Sequence, residues 1–176
     1  ACEDLTDSQH RRASLTLAQA AGPSGMVGGQ MIDINAASLT GTTAKQVTKF
    51  TQVQLEGMHR AKTGALICAA LEMGAICANA TQQQCARLRR YGELVGLAFQ
   101  VVDDVLDVIG DTEQLGKQQG SDQLLGKPTY PEMIGLESSQ RYALELCTRA
   151  QTELSGMAGS TDILQQLATY IVRRVH

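Results

Sequence analysis

The residues best suited to chemistry are three aspartates within "GLAFQVVDDVLDVIGDTEQLGK", residues 96–117. Apolar residues recur at helical spacing through this segment, a pattern typical of a helix inside a protein. Asp103, Asp104 and Asp107 nevertheless lie in its middle. Because Asp103 and Asp107 are four positions apart, both project from one face, about 6 Å apart along the axis. Gln100 extends this polar stripe by one turn.

Carboxylates this close repel one another, by roughly 3 kcal/mol for unit charges 6 Å apart at an effective dielectric constant of 20. No basic residue lies three or four positions away to offset the repulsion. A cation would do so, and carboxylate oxygens suit Mg²⁺, which usually shares its shell with water and substrate phosphates. Lys117, Asp122 and Lys127 follow in a glycine-bearing stretch that could fold back over an anion. The spacing therefore indicates either a metal-bound polyphosphate or a solvated acidic face, and leaves both open.

The composition excludes two classes of partner. Hydrophobic residues make up 43% of the 176 residues and aromatic residues only 3%, so we expect an aliphatic core. A net charge of −3 without a basic stripe argues against nucleic acid. The most apolar run, residues 63–80, is interrupted by Glu72 and falls short of a membrane span. We therefore expect a soluble protein with no nucleic-acid partner and no membrane span.

The cysteines and histidines offer no recognisable site. The five cysteines form no CxxC pair, and none has a histidine at zinc-ligand spacing. This favours buried thiols in a reducing compartment, so the predicted location is the cytoplasm. The histidines are predicted to lie at the surface, and they are His10, His59 and His176.

Helical patterns dominate the chain, and β-branched residues do not alternate with polar ones for long. The predicted fold is therefore all-α, in one domain over residues 1–176. Thr161 is a candidate cap for the last helix, and residues 110–130 read as a loop. The predicted helices cover residues 8–21, 26–37, 48–61, 63–79, 82–109, 136–157 and 162–174, with the third and fourth nearly continuous.

Several motifs, in order, give the chain a family resemblance. "FQVVDDVLDVIGD", followed by "LGK", "GSD" and "LGKPTYP", resembles the second aspartate-rich region of the trans-isoprenyl diphosphate synthases. "GGQMIDI" at residues 28–34 and "HRAKTGALI" at residues 59–67 match in the same order. The likeness is strongest to bacterial short-chain farnesyl diphosphate synthases and runs through the whole chain.

This resemblance implies a helical bundle of the isoprenoid synthase type and a Mg²⁺-dependent prenyltransferase. Such an enzyme condenses isopentenyl diphosphate with an allylic diphosphate through an allylic carbocation, and is usually a homodimer. The resemblance makes Asp103 the main direct ligand of one Mg²⁺, with Asp104 and Asp107 supporting it through water or weaker contacts. Asp122 falls where the family keeps a carboxylate behind the metal ligands.

The resemblance also implies a set of residues that bind the allylic diphosphate or lie beside it. Three of them are lysines that contact the phosphates, and two complete a polar floor. They are Lys62, Lys117, Lys127, Gln30 and Asp33.

Lys62, Thr63 and Gln100 are the catalytic residues that the resemblance implies, the latter two directing oxygens at the carbocation. Each also has a structural interpretation. Lys62 could reach solvent along its own stem, Thr63 could bond to its own helix, and Gln100 could be a satisfied core amide.

The family's first aspartate-rich motif, DDxxD followed by two arginines, has no counterpart in this sequence. The isopentenyl diphosphate site belongs to the same missing portion. We therefore expect a C-terminal part that is inactive alone, exposes an apolar groove, and associates with itself or with the missing N-terminal half. The alternative is a non-catalytic or regulatory subunit of a heteromeric synthase. A terpene cyclase is disfavoured because the chain lacks tryptophan and has only two phenylalanines.

Overall fold

The computed structural model describes residues 5–38, 50–109 and 127–174. Within these ranges the chain forms helices and no strand, which confirms the all-α prediction. No helix within the described ranges combines the length and the hydropathy that a membrane-spanning helix requires. The helices are α1 (Asp7–Ala21), α2 (Met26–Ser38), α3 (Gln52–His59), α4 (Ala65–Cys77), α5 (Gln82–Ile109), α6 (Tyr130–Ile134), α7 (Leu136–Leu154) and α8 (Asp162–Arg173).

Helix α5 is the central element, and it begins and ends at the predicted residues 82 and 109. It packs along α7 on one side and against α4 on another. Leu97, Val101 and Val105 of α5 meet Leu146 and Ala150 of α7 in a core where each is at most 1% exposed. Each buried aliphatic side chain of this kind stabilises the fold by roughly 1.5–3 kcal/mol. The core is mainly aliphatic, as the composition predicted.

Capping residues determine where two of the helices begin. The Thr6 hydroxyl accepts a hydrogen bond from the Gln9 backbone N–H, and the Gln9 side chain returns to Thr6, so α1 begins at residue 7. Thr51 and Gln54 repeat the arrangement, which starts α3 at residue 52 rather than at the predicted 48. Thr161 does precede α8, but its hydroxyl accepts from the Gln165 side-chain amide at 3.0 Å instead of capping the backbone.

Two further helix predictions need correction. Helix α7 ends at Leu154, short of the predicted residue 157. Helix α6 was missed, because its five residues begin at the end of the stretch predicted as a loop. Its signals are local, since the Thr129 hydroxyl accepts from the backbone N–H of Glu132 and Pro131 lies in the first turn. Residues 127–129 have no regular secondary structure, and residues 110–126 of the predicted loop lie outside the described residues.

Helices α3 and α4 are joined by a π-helical segment, Arg60–Gly64, so residues 52–77 form one continuous helix. A π turn holds one more residue than an α turn, and such bulges are frequent at functional sites. Lys62 and Thr63 lie within this segment. The wide turn therefore coincides with two of the predicted catalytic residues.

Helix α2 lies directly on the π segment at Gly29. A Cβ atom added to Gly29 would lie 2.2 Å from the backbone nitrogen of Lys62 and 2.6 Å from its Cα. Real Cβ atoms do not approach backbone so closely, so only glycine permits this contact. The close approach brings the side chains of α2 next to the π segment.

The described cysteines, Cys68, Cys77, Cys85 and Cys147, are free thiols. Cys147 is buried as predicted, whereas Cys77, predicted to be buried, is exposed. Burial raises the pKa of Cys68 to about 11, so its thiol remains protonated and unreactive at neutral pH.

We expect Tyr91→Phe to lower the free energy of unfolding at pH 7 by about 1 kcal/mol. The Tyr91 hydroxyl donates to the Leu164 carbonyl at 2.6 Å, and the substitution leaves that carbonyl without this donor. Burial raises the pKa of Tyr91 to about 12 in the folded protein, against about 10 when unfolded. The neutral hydroxyl therefore contributes stability below pH 10 that is lost as the pH rises toward 12.

Urea unfolding at pH 7 and at pH 11 measures both effects. The deficit of Tyr91→Phe should shrink at pH 11, whereas Tyr170→Phe, at a residue 66% exposed, should match the unsubstituted chain at both pH values. An equal deficit at the two pH values would contradict the argument.

Candidate functional site

Two lysines from distant parts of the chain converge on one buried carboxylate. Asp33, on α2, is 5% exposed. The Lys62 ammonium donates to Asp33 Oδ2 at 2.5 Å, and the Lys127 Nζ lies 3.7 Å from the same oxygen. Two ammonium groups therefore lie together at one carboxylate, on lysine side chains that are each about one-third exposed or less. This lysine cluster, Lys62, Lys127 and Asp33, is suited to holding an anion.

Gln100 and Thr63 lie on two elements, α5 and the π segment, that pack against each other. A Cβ atom on Gly96 would lie 3.1 Å from the Cα of Gly64, so the two backbones are in close contact there. Gln100 follows Gly96 by one helical turn and is 9% exposed, while Thr63 precedes Gly64 and is half-buried. Gln30 of α2, also half-buried, adjoins Gly29. The predicted catalytic residues therefore lie on two elements that touch.

The three aspartates of α5 do not share one environment. Asp103 is half-buried, whereas Asp104 is 7% exposed and Asp107 is 2% exposed. Asp104 Oδ2 accepts a hydrogen bond from the Tyr130 backbone N–H at 2.9 Å. Since successive side chains on a helix point about 100° apart, Asp103 and Asp104 face different neighbours. Asp103 is the most accessible of the three.

His59 was predicted to lie at the surface, and this prediction is wrong. The residue is 6% exposed, its ring stacks on Tyr130 with centroids 5.9 Å apart, and its Nε2 lies 3.9 Å from Asp104 Oδ2. The missed signal is periodicity, since Leu55, Met58 and His59 occupy one apolar face of α3 and are all buried.

A magnesium site is consistent with the donors present. Among residues 5–38, 50–109 and 127–174, no group of three or more His, Cys, Asp or Glu residues lies close enough to hold a metal ion. Structural zinc sites need four such ligands, but Mg²⁺ is usually bound through one or two carboxylates plus water and substrate phosphates. Asp103 and Asp107, four positions apart on one face, are such a pair. Lys117 and Asp122 lie outside the described residues.

A groove of about 970 Å³ opens elsewhere, between α1, the π segment with α4, and the first half of α5. Small residues such as Ala61 and Gly64 line much of it, and Arg60 and Glu93 face each other across 3.9 Å at its edge. Its lining contains neither Lys62 nor Asp103. The groove is therefore distinct from the site predicted from the sequence.

Comparison with known proteins decides the family. Residues 2–166 match the family model described as polyprenyl synthetase. The chain belongs to the polyprenyl synthetase family. This confirms the resemblance drawn from the motifs.

One relative of this chain within the polyprenyl synthetase family is the farnesyl diphosphate synthase of Escherichia coli strain K12. The two are 45% identical over 162 residues, covering 90% of this chain and 51% of the relative. Geranylgeranyl pyrophosphate synthase 9, chloroplastic, of Arabidopsis thaliana is 43% identical over 164 residues, covering 93% and 44%. The chain thus spans about half the length of these curated relatives.

Solved structures of family members share the fold. A farnesyl/geranylfarnesyl (FPP/GFPP) synthase from Zymomonas mobilis, in an apo structure, superposes with a TM-score of 0.78 at 32% identity, covering 94% of this chain and 52% of that one. A geranyltransferase from Helicobacter pylori, complexed with magnesium and isoprenyl diphosphate, gives 0.77 at 27% identity, covering 99% and 54%. These likenesses confirm the predicted isoprenoid synthase type of helical bundle.

Proposed function

We propose that residues 1–176 are the C-terminal part of a single-domain, short-chain polyprenyl diphosphate synthase of the farnesyl diphosphate type. The complete enzyme condenses isopentenyl diphosphate with an allylic diphosphate. The observation that carries this proposal is the lysine cluster, in which Lys62 and Lys127 meet at a buried Asp33 beside the π segment. Two partly exposed ammonium groups gathered at one buried acid suit the binding of a diphosphate.

The proposed metal is Mg²⁺, held by Asp103 and Asp107, with Asp104 adjacent. When bound, Mg²⁺ supplies positive charge that stabilises the leaving diphosphate. Asp122, which lies outside the described residues, is proposed to support these ligands without contacting the metal itself. Lys117, equally undescribed, joins Lys62 and Lys127 as a phosphate contact on the strength of the motif match.

The protein's own groups act on both products of ionisation. When the allylic C–O bond breaks, negative charge grows on the diphosphate, and the fixed ammonium groups of Lys62 and Lys127 stabilise it because they are already in place. The oxygens of Thr63 and Gln100 are proposed to stabilise the carbocation through their dipoles without reacting as strong nucleophiles. Asp33 and Gln30 are proposed to form the polar surface beside Lys62, and Asp33 orients the Lys62 side chain by accepting its hydrogen bond.

Titration calorimetry with Mg²⁺ and inorganic pyrophosphate tests the site in this chain. We expect pyrophosphate to bind only when Mg²⁺ is present, and Lys62→Met to weaken that binding at least tenfold. The matched control is Arg141→Met, which removes an exposed cation from another helix, α7. No pyrophosphate binding with Mg²⁺ present would contradict the catalytic proposal and favour the non-catalytic subunit.

Turnover is expected only from a protein that also contains the N-terminal half, because the first aspartate-rich motif and the isopentenyl diphosphate site belong to it. Incorporation of labelled isopentenyl diphosphate into a longer prenyl chain measures this activity. The free thiols of the described cysteines suit a reducing compartment, and we propose the cytoplasm.

The chain is proposed to form a homodimer through α2. Val27, Met31 and Ile34 recur at helical spacing on one side of this helix and are 46%, 52% and 48% exposed. Another side of α2 packs on the π segment, so the helix is apolar around most of its circumference, which is typical of a helix covered on both sides.

Gel filtration should show the chain eluting ahead of an 18.8 kDa monomer. Met31→Glu should shift it to the monomer position, whereas Leu144→Glu, at a residue 43% exposed on α7, should not. A clean monomer that binds no hydrophobic dye would contradict the proposal. Assembly only after the N-terminal half is added would identify that half as the partner instead.

A further inference from the structure

A buried polar layer lies about one helical turn from the lysine cluster, since His59 precedes Lys62 by three residues. His59 of α3, Asp104 of α5 and Tyr130 of α6 meet there, and they are 6%, 7% and 0% exposed. Tyr130 donates its backbone N–H to Asp104 Oδ2, and its ring stacks on His59. Tyr142 of α7 packs against the other side of Tyr130, with ring centroids 5.8 Å apart. Four helices therefore converge on this layer.

A carboxylate at this depth must be compensated, because transferring an unpaired charge from water to the interior is costly. Asp104 receives a backbone N–H at 2.9 Å and has the His59 imidazole nearby at 3.9 Å. Its oxygen is thus engaged with the start of α6, whereas its neighbour Asp103 is the more accessible acid. The two adjacent aspartates have different partners and so can have different tasks.

We propose that Asp104 is a positioning residue that fixes the start of α6, and with it Lys127, rather than a ligand of the metal. Lys127 precedes Tyr130 by three residues, and its Nζ lies 3.7 Å from Asp33 Oδ2. The hydrogen bond from Tyr130 to Asp104 attaches residues 127–130 to α5. The stacking of the Tyr130 ring on His59 attaches the same residues to α3. This inference rests on the proposed function in one respect, the identity of the anion that Lys127 binds. The contacts among Asp104, Tyr130 and His59 do not depend on the proposed function.

Two substitutions separate the roles of Asp104, and both are made in the 176-residue chain. Asp104→Asn keeps an oxygen that can accept the Tyr130 N–H but removes the charge that a metal ligand needs. Asp104→Ala removes both. Glu132→Gln, on the exposed face of α6, is the matched control for a lost charge nearby.

Amide hydrogen exchange at Tyr130, measured by NMR, reports the contact directly. We expect exchange at least tenfold faster in Asp104→Ala and within threefold of the unsubstituted chain in Asp104→Asn and Glu132→Gln. Affinity for pyrophosphate, and the Mg²⁺ concentration that gives half-maximal binding, report the site. In Asp104→Asn, the pyrophosphate affinity and the Mg²⁺ requirement should both stay within threefold of the unsubstituted chain. In Asp104→Ala, the pyrophosphate affinity should fall tenfold while the Mg²⁺ requirement stays unchanged.

Two results would overturn the inference. One is unchanged Tyr130 exchange in Asp104→Ala. The other is a tenfold higher Mg²⁺ requirement in Asp104→Asn with Tyr130 still protected, which would make Asp104 a metal ligand. If Asp104→Ala does not fold, the Asp104→Asn variant decides alone. If the unsubstituted chain binds no pyrophosphate, the proposed function fails, but the exchange measurement still decides whether Asp104 positions α6.

Discussion

Asp103→Ala should lower kcat by roughly 10²–10³-fold in a synthase that contains this chain together with its N-terminal half. Asp103 is the most accessible of the three acids on α5 and shares a face with Asp107. Removing a metal ligand weakens an interaction that grows as charge develops on the leaving diphosphate, so the loss should appear in kcat and kcat/KM together. Such a loss corresponds to about 3–4 kcal/mol of transition-state stabilisation.

Steady-state incorporation of isopentenyl diphosphate, repeated across a range of Mg²⁺ concentrations, measures this effect. The matched control is Glu145→Ala, which removes an exposed carboxylate from another helix, α7. The control should retain its rate within twofold. A near-normal kcat in Asp103→Ala would refute the assignment of Asp103 as the main metal ligand.

Gly29→Ala should destabilise the chain by about 3 kcal/mol, which for a domain of this size lowers Tm by roughly 10 °C. The added Cβ would lie 2.2 Å from the Lys62 backbone nitrogen, and backbone cannot rotate away as a side chain can. Helix α2 must therefore move off the π segment. Because Asp33 is on α2, the same movement should separate it from Lys62 and weaken Mg²⁺-dependent pyrophosphate binding.

Thermal unfolding of Gly29→Ala beside Gly74→Ala isolates the steric cause. Nothing lies within 4 Å of a Cβ added to Gly74, an exposed position inside α4. Alanine is the better helix former, so Gly74→Ala should raise stability by roughly 0.5–1 kcal/mol. Similar losses in the two variants would show that the contact between α2 and the π segment is not the reason.

The helices were predictable because their signals are local. Helix α5 was predicted with both of its ends, and helical patterns placed Thr63 and Asp103 on helices. The convergence of Lys62 and Lys127 on one oxygen of Asp33 could not be deduced from periodicity, because it joins residues far apart in sequence. The motif match implied only that Asp33 lies near Lys62.

His59 illustrates the opposite error. His59 was predicted to be exposed, although its place on the face of Leu55 and Met58 indicated burial. The spacing also could not show that Asp104 and Asp103 have different surroundings. That difference depends on the hydrogen bond from Tyr130 to Asp104, and Tyr130 is 26 residues away in sequence. Tertiary contacts, not local pattern, give the two adjacent acids their different surroundings.

The π segment also sets the phase of the long helix that contains it. One surplus residue in a turn rotates everything after it by about 100° relative to an uninterrupted α-helix. The sequence predicted two nearly continuous helices, residues 48–61 and 63–79, and this segment joins them into one. Deleting a single residue there would let the turn relax to ordinary α-helical geometry, and α4 would keep the same side toward α5, because the wide turn is what absorbs the surplus residue. The extra residue therefore acts locally on the placement of Lys62 and Thr63, so its removal should spare the packing of the helices and disturb the candidate site.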